Sequence, residues 1–117
     1  MDEPRRGTKI NIGDNDIYLW THDNPQIIFP ELVTAAEEML YKGENEKLAL
    51  EVRNKINNKI RKFEFFVRRE EIDDTLAKAL DWAEGVEEYE ICQRIKNLQD
   101  FLEIKSLESF ISKSKKF

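Results

Sequence analysis

Residues 44–71 read ENEKLALEVRNKINNKIRKFEFFVRREE, and the fold of this 117-residue chain turns on that stretch. Leu48, Val52, Ile56, Ile60, Phe63 and Val67 follow one another at steps of four, four, four, three and four. Such steps keep apolar side chains on one face of a helix. The spacing predicts a long helix from Glu44 to about Glu71. Residues 62–68 (KFEFFVR) also alternate apolar and polar, so a strand there stays open as the alternative.

Upstream, Gly43 ends a helix over 31–42 that carries Leu32, Val33, Ala36, Met39 and Leu40. Pro30 opens it, since the fixed φ of proline suits a first helical turn. Residues 30–71 then make a first helical hairpin. Residues 9–12 and 17–21 are rich in β-branched and aromatic side chains, and Gly13, Asp14, Asn15 and Asp16 between them are turn formers. His22, Asp23, Asn24 and Pro25 give a second turn signal. Residues 8–29 are expected to form a short β-hairpin or extended arm. A lone hairpin is marginal in water, so it must pack on the helices or on a partner.

Downstream, Asp73 or Asp74 caps a third helix that runs through Leu76, Ala79, Leu80 and Ala83 to Gly85. A fourth, from about Glu87 to Ile104, carries the stripe Ile91, Ile95, Leu98 and Leu102. Residues 73–104 thus make a second helical hairpin, and 105–117 an amphipathic basic tail with a short helix at 107–111. The expected fold is mainly α: one domain over 1–117, built as two antiparallel helical hairpins in a small bundle. A faint internal echo pairs Ala36, Ala49, Val52 and Arg53 with Ala79, Cys92, Ile95 and Lys96.

Composition fits that reading, with 37% charged residues, 40% apolar, 4 glycines and 3 prolines. One cysteine excludes an intramolecular disulfide and a multi-cysteine zinc site. Residues 1–9 lack the apolar core of a signal peptide, and no apolar run approaches a membrane span. A cytoplasmic protein with no membrane contact is expected. No catalytic residue, cofactor site or metal site is assigned. His22 lies in a turn with no nucleophile motif beside it. Glu84, Glu87, Glu88 and Glu90 lack the alternating ligand spacing of a calcium loop.

Residues 80–102 resemble the UVR motif, a short helical hairpin found in the excinuclease subunits UvrB and UvrC and in some regulators of Clp proteases and arginine kinases. Leu80, Ala83, Glu87, Glu88, Tyr89 and Glu90 fit its pattern in register. Cys92 takes a small-residue position, Ile95 an aliphatic one, Lys96 and Asn97 stand for Arg-Asp, and Leu102 closes it. Glu84, Gln93 and Gln99 depart from it. The motif pairs with a second hairpin, so the resemblance implies protein binding rather than catalysis.

Residues 53–69 carry seven basic residues and one acid, leaving 12 basic and 23 acidic residues elsewhere. On a helix, Lys55, Lys62 and Arg69 form one basic stripe and Arg61 and Arg68 another, with Phe65 outward between them. An aromatic framed by cations suits a nucleic-acid base or a protein pocket. In the tail, Leu107, Phe110 and Ile111 are similar to a sliding-clamp-binding peptide, with Ile104 at its leading position. The function expected from these features is a non-catalytic adaptor or regulator that docks another protein through Trp82, Glu87, Glu88, Tyr89 and Phe65. The alternatives are a nucleic-acid accessory factor using Lys55, Arg61, Lys62, Phe65, Arg68 and Arg69, or a clamp-binding factor. Pairing of exposed hairpins between two copies would give a homodimer.

Overall fold

In this computed structural model, which describes residues 8–114 and their side chains over 8–105, residues 44–71 are not a helix. They form two antiparallel strands, β2 (Glu46–Ile56) and β3 (Lys59–Arg68), followed by a 3-10 turn at Arg69–Glu71. Asn57 and Asn58 join the strands with φ of 53° and 61°. A two-residue hairpin loop needs positive φ at both positions to match the strand twist, and asparagine tolerates that region. The apolar steps of four misled because four is even. It satisfies a period of 2 as well as a period of 3.6.

The sheet is completed by β1 (Thr8–Asn11), which pairs parallel to β2 with Ile10 opposite Val52, giving the order β1-β2-β3. Only these four residues of the expected N-terminal hairpin are strand. Residues 17–23 form a helix, α1 (Ile17–Asp23), because the Asp16 carboxylate accepts from the N–H groups of Tyr18 at 2.9 Å and Leu19 at 3.1 Å. The residue read as part of a turn is a helix cap. The next helix, α2 (Pro25–Lys42), starts at Pro25 rather than Pro30. The Asn24 carbonyl accepts from the N–H groups of Ile27 and Ile28. Pro30 therefore lies inside α2 and leaves the Gln26 carbonyl without its usual donor. Gly43 closes α2 with φ 68°, and the Glu44 N–H bonds back to the Met39 carbonyl at 2.9 Å.

After the sheet come α3 (Ile72–Gly85) and α4 (Tyr89–Ser114), joined by three residues. α4 continues well past Ile104, so no break separates it from a short tail helix. The molecule is thus a three-stranded mixed sheet with four helices among the described residues, and the two-hairpin bundle is overturned. The internal echo goes with it, because Ala49, Val52 and Arg53 lie on a strand and Cys92, Ile95 and Lys96 on a helix.

One side of the sheet carries the helices. Leu50 and Val52 of β2 and Val67 of β3 meet Val33, Ala36 and Met39 of α2, Leu76 and Ala79 of α3, and Ile95 of α4, all buried in one core. Thr8 Oγ1 adds a hydrogen bond to Glu31 of α2 at 2.9 Å. Each large apolar side chain buried there contributes about 1.5–3 kcal/mol, set against the entropy of ordering it. A bulge at Ala49 shifts the register, so Leu48 pairs with Phe66 while Leu50 pairs with Phe65. The bulge turns Leu48 to the outer face and keeps Ala49 and Leu50 in the core.

Candidate functional site

The turn between α3 and α4 and the junction of α1 with α2 meet at one end of the helical layer. Between them lies a cleft of about 490 Å³, walled by Pro25, Pro30, Trp82, Val86 and Ile91 and rimmed by His22, Asp23 and Glu88. Trp82 is partly buried and stacks on Phe29, with ring centroids 5.5 Å apart and an interplanar angle of 24°. It is therefore the wall of a cleft and not a free surface aromatic. Val86, which lines the cleft, is 52% exposed, and Tyr89, next to the lining residue Glu88 in the chain, is 68% exposed.

Local backbone forces build the α3–α4 turn. The Val86 and Glu88 N–H groups bond to the Trp82 and Ala83 carbonyls, closing α3, and the Glu88 carbonyl accepts from Cys92 N–H at 3.0 Å, starting α4. Reversing direction over three residues puts Glu87 at φ 61°, a region disfavoured for a side chain with Cβ. Its carboxylate accepts from the Tyr89 hydroxyl at 3.0 Å. Trp82, Glu87, Glu88 and Tyr89 are thus brought to one place by the short connection. Val86, Pro25, Phe29 and His22 complete it and were missed from the sequence. The pair of prolines spaced five apart, beside an aromatic, was the available signal.

The pleat divides the predicted basic patch. Lys55, Lys62 and Arg68 point to the outer, helix-free face of the sheet, together with Lys9, Arg53 and Phe66. Arg61 and Phe65 point the other way. Arg61 is exposed opposite Asn54. Phe65 is half-buried against the core and floors a second cleft of about 470 Å³ with Phe63, Ile17 and Tyr18. Arg69 belongs to the 3-10 turn, where its N–H bonds to the Asn45 carbonyl at 2.8 Å. The outward Phe65 framed by cations is therefore replaced by Phe66, whose ring lies 5.4 Å from the Arg68 guanidinium. A helical wheel puts 65 outward, and a strand of period 2 puts 66 there.

Arg68 also pairs with Glu46 directly across the ladder at 3.0 Å, and Arg53 pairs with Glu51 on the same face. Leu107, Phe110 and Ile111 lie outside the residues whose side chains are described; the backbone there is α4. No helix among the described residues is long and apolar enough to cross a membrane. Comparison with protein families, with curated proteins and with solved structures found no match.

Proposed function

We propose that this chain is a non-catalytic docking protein that seats a segment of another protein in the cleft between Trp82 and the α1–α2 junction. The observation that carries this reading is the combination at the α3–α4 turn. A stacked Trp82–Phe29 pair gives a rigid apolar wall, and Val86 and Tyr89 remain exposed beside it. Aromatic side chains that are fixed by packing and open on one side are the usual anchors of a protein interface. Glu87 takes the left-handed conformation that commonly ends a helix, which fixes its carboxylate on the Tyr89 hydroxyl beside the opening.

Charge selects the partner. Asp23 and Glu88 line the opening, Glu87 and Glu90 flank Glu88 in the chain, and His22 is the one base among the lining residues. A segment with an aliphatic or aromatic anchor flanked by lysine or arginine is complementary. The UVR-like pattern of residues 80–102 supports the same mode, since hairpins of that kind act by pairing.

Peptide display against the immobilised chain tests this. The selected peptides are expected to share one large apolar residue between basic ones, and to lose at least tenfold in affinity against Val86→Asp and Tyr89→Ala. Tyr41→Asp, at an exposed site far along α2, leaves binding intact. Selection of acidic peptides, or binding indifferent to Val86→Asp, refutes the assignment.

A further inference from the structure

The β2–β3 hairpin carries a second pattern, independent of that cleft. Residues 53–62 hold five cations, Arg53, Lys55, Lys59, Arg61 and Lys62, and no carboxylate, in a chain of net charge −5. The register spreads them over both faces of a two-stranded ribbon. Arg53, Lys55 and Lys62 share the outer face, and Lys59 and Arg61 the opposite one. Arg53 stands directly across from Lys62. Arg53 is held by Glu51 on the same face, which leaves Lys55, Lys59, Arg61 and Lys62 to meet an anion.

The ribbon also reaches beyond the rest of the sheet. Its last bond to the β1 side runs from the Lys55 N–H to the Gly13 carbonyl at 2.7 Å, and every residue from 55 to 62 is exposed. Asn57 and Asn58 keep the apex narrow, because their positive φ values close the turn in two residues.

We infer that this ribbon binds duplex DNA, entering the major groove with its apex and meeting phosphates on both sides. A groove about 12 Å wide admits a two-stranded ribbon. Cations on both ribbon faces match a groove with a phosphate wall on each side. The two apical asparagines present amides of the kind that pair with base edges. All 24 carboxylate residues lie outside 53–62, so repulsion from phosphate orients the hairpin toward the duplex and keeps overall affinity moderate.

Fluorescence anisotropy of the full chain with a labelled mixed-sequence DNA duplex tests this, alongside the single strand and an RNA duplex of the same sequence. Tightest binding is expected on the DNA duplex. Four phosphate contacts, from Lys55, Lys59, Arg61 and Lys62, predict a slope of about −3 to −4 for log K against log salt. The variant Lys59→Gln/Arg61→Gln/Lys62→Gln should lose more than tenfold in affinity at low salt, with the slope reduced to about −1. Should the triple variant fold poorly, Lys59→Gln alone reads out as a slope smaller by about one. Lys78→Gln/Lys96→Gln, on the helices, should bind as the parent does. Four results overturn the inference. They are no duplex binding at low salt, a folded triple variant that binds normally, tighter binding to the single strand or RNA duplex, and displacement by poly-glutamate as readily as by unlabelled duplex. The last would assign the ribbon to an acidic protein.

Discussion

Arg94 on α4 grips Glu37 on α2 with two hydrogen bonds, Nε to Oε2 at 3.0 Å and Nη2 to Oε1 at 2.6 Å. The same Nη2 donates to Thr34 Oγ1 at 3.0 Å. The Glu37 hydrogen bond raises the guanidinium pKa above its ordinary value, with burial opposing. This clasp ties the α3–α4 hairpin to the helix that covers the sheet. Both side chains keep some solvent contact, 38% and 25%, so screening reduces what the pair contributes. Arg94→Ala and Glu37→Ala should each cost about 1–2 kcal/mol, with a coupling of about 1 kcal/mol in a double-mutant cycle. Urea denaturation measures it, and the coupling should shrink as salt rises.

Leu50 and Ile60 distinguish the sheet from the helix that the apolar spacing suggests. On a helical stripe Ile60 is core and Leu50 is off the stripe. In the sheet Leu50 is 0% exposed and Ile60 is 69% exposed. Leu50→Ala should destabilise by about 2–5 kcal/mol. Ile60→Ala should stay within about 0.5 kcal/mol. The reverse ranking in chemical denaturation would return residues 44–71 to a helix.

Glu87 trades stability for position. Its left-handed backbone costs about 1–2 kcal/mol, partly offset on replacement by the greater unfolded-state freedom of glycine. Glu87→Gly should therefore raise stability by about 0.5–1 kcal/mol. It also removes the carboxylate that receives the Tyr89 hydroxyl, so peptide affinity should fall while the melting temperature rises. A fall in both would mean that the carboxylate itself holds the turn.

Cys92 is a free thiol buried on the inner face of α4, within the core. Its reaction with a thiol reagent requires the α3–α4 hairpin to open. Under native conditions labelling should run at least about a hundredfold slower than in denaturant. Arg94→Ala should speed it by weakening the clasp. Rapid labelling of the folded parent would show that α4 detaches readily.

The helices at 72–85 and from 89 onward were legible because their stripes step by three as well as four. Leu76, Ala79 and Ala83 share the buried face of α3, and Ile91, Ile95 and Leu98 line the inner side of α4. Arg94 sits within that stripe, between Ile91 and Ile95, and its place there was a readable sign of a buried-face partner. The strands were legible only in part: the alternation over 62–68 lies within β3 and the β-branched run at 9–12 overlaps β1, whereas β2 read as helix. Leu48, Val52, Ile56 and Ile60 step only by four, and Asn57-Asn58 lacks the glycine that usually marks a two-residue hairpin. The N-terminal helices were lost for a related reason. Asp16 and Pro25 serve turns and helix starts alike, and β-branched Ile17 and Thr21 favour strand until a cap commits them to α1.

By itself the sequence determined which residues are apolar, the breaks at Gly13, Gly43 and Gly85, and that a cluster of cations without acids spans 53–62. Those follow from side-chain chemistry and local backbone preference. Tertiary structure decided which way each side chain faces. Pairing β2 between β1 and β3 imposed a period of 2, and the bulge at Ala49 then turned Leu48 outward and Leu50 inward. The same pairing moved Phe65 under α1 and put Phe66 among the cations. Ladder hydrogen bonds and burial against α2 act between residues far apart in the chain, so no local spacing could have announced them.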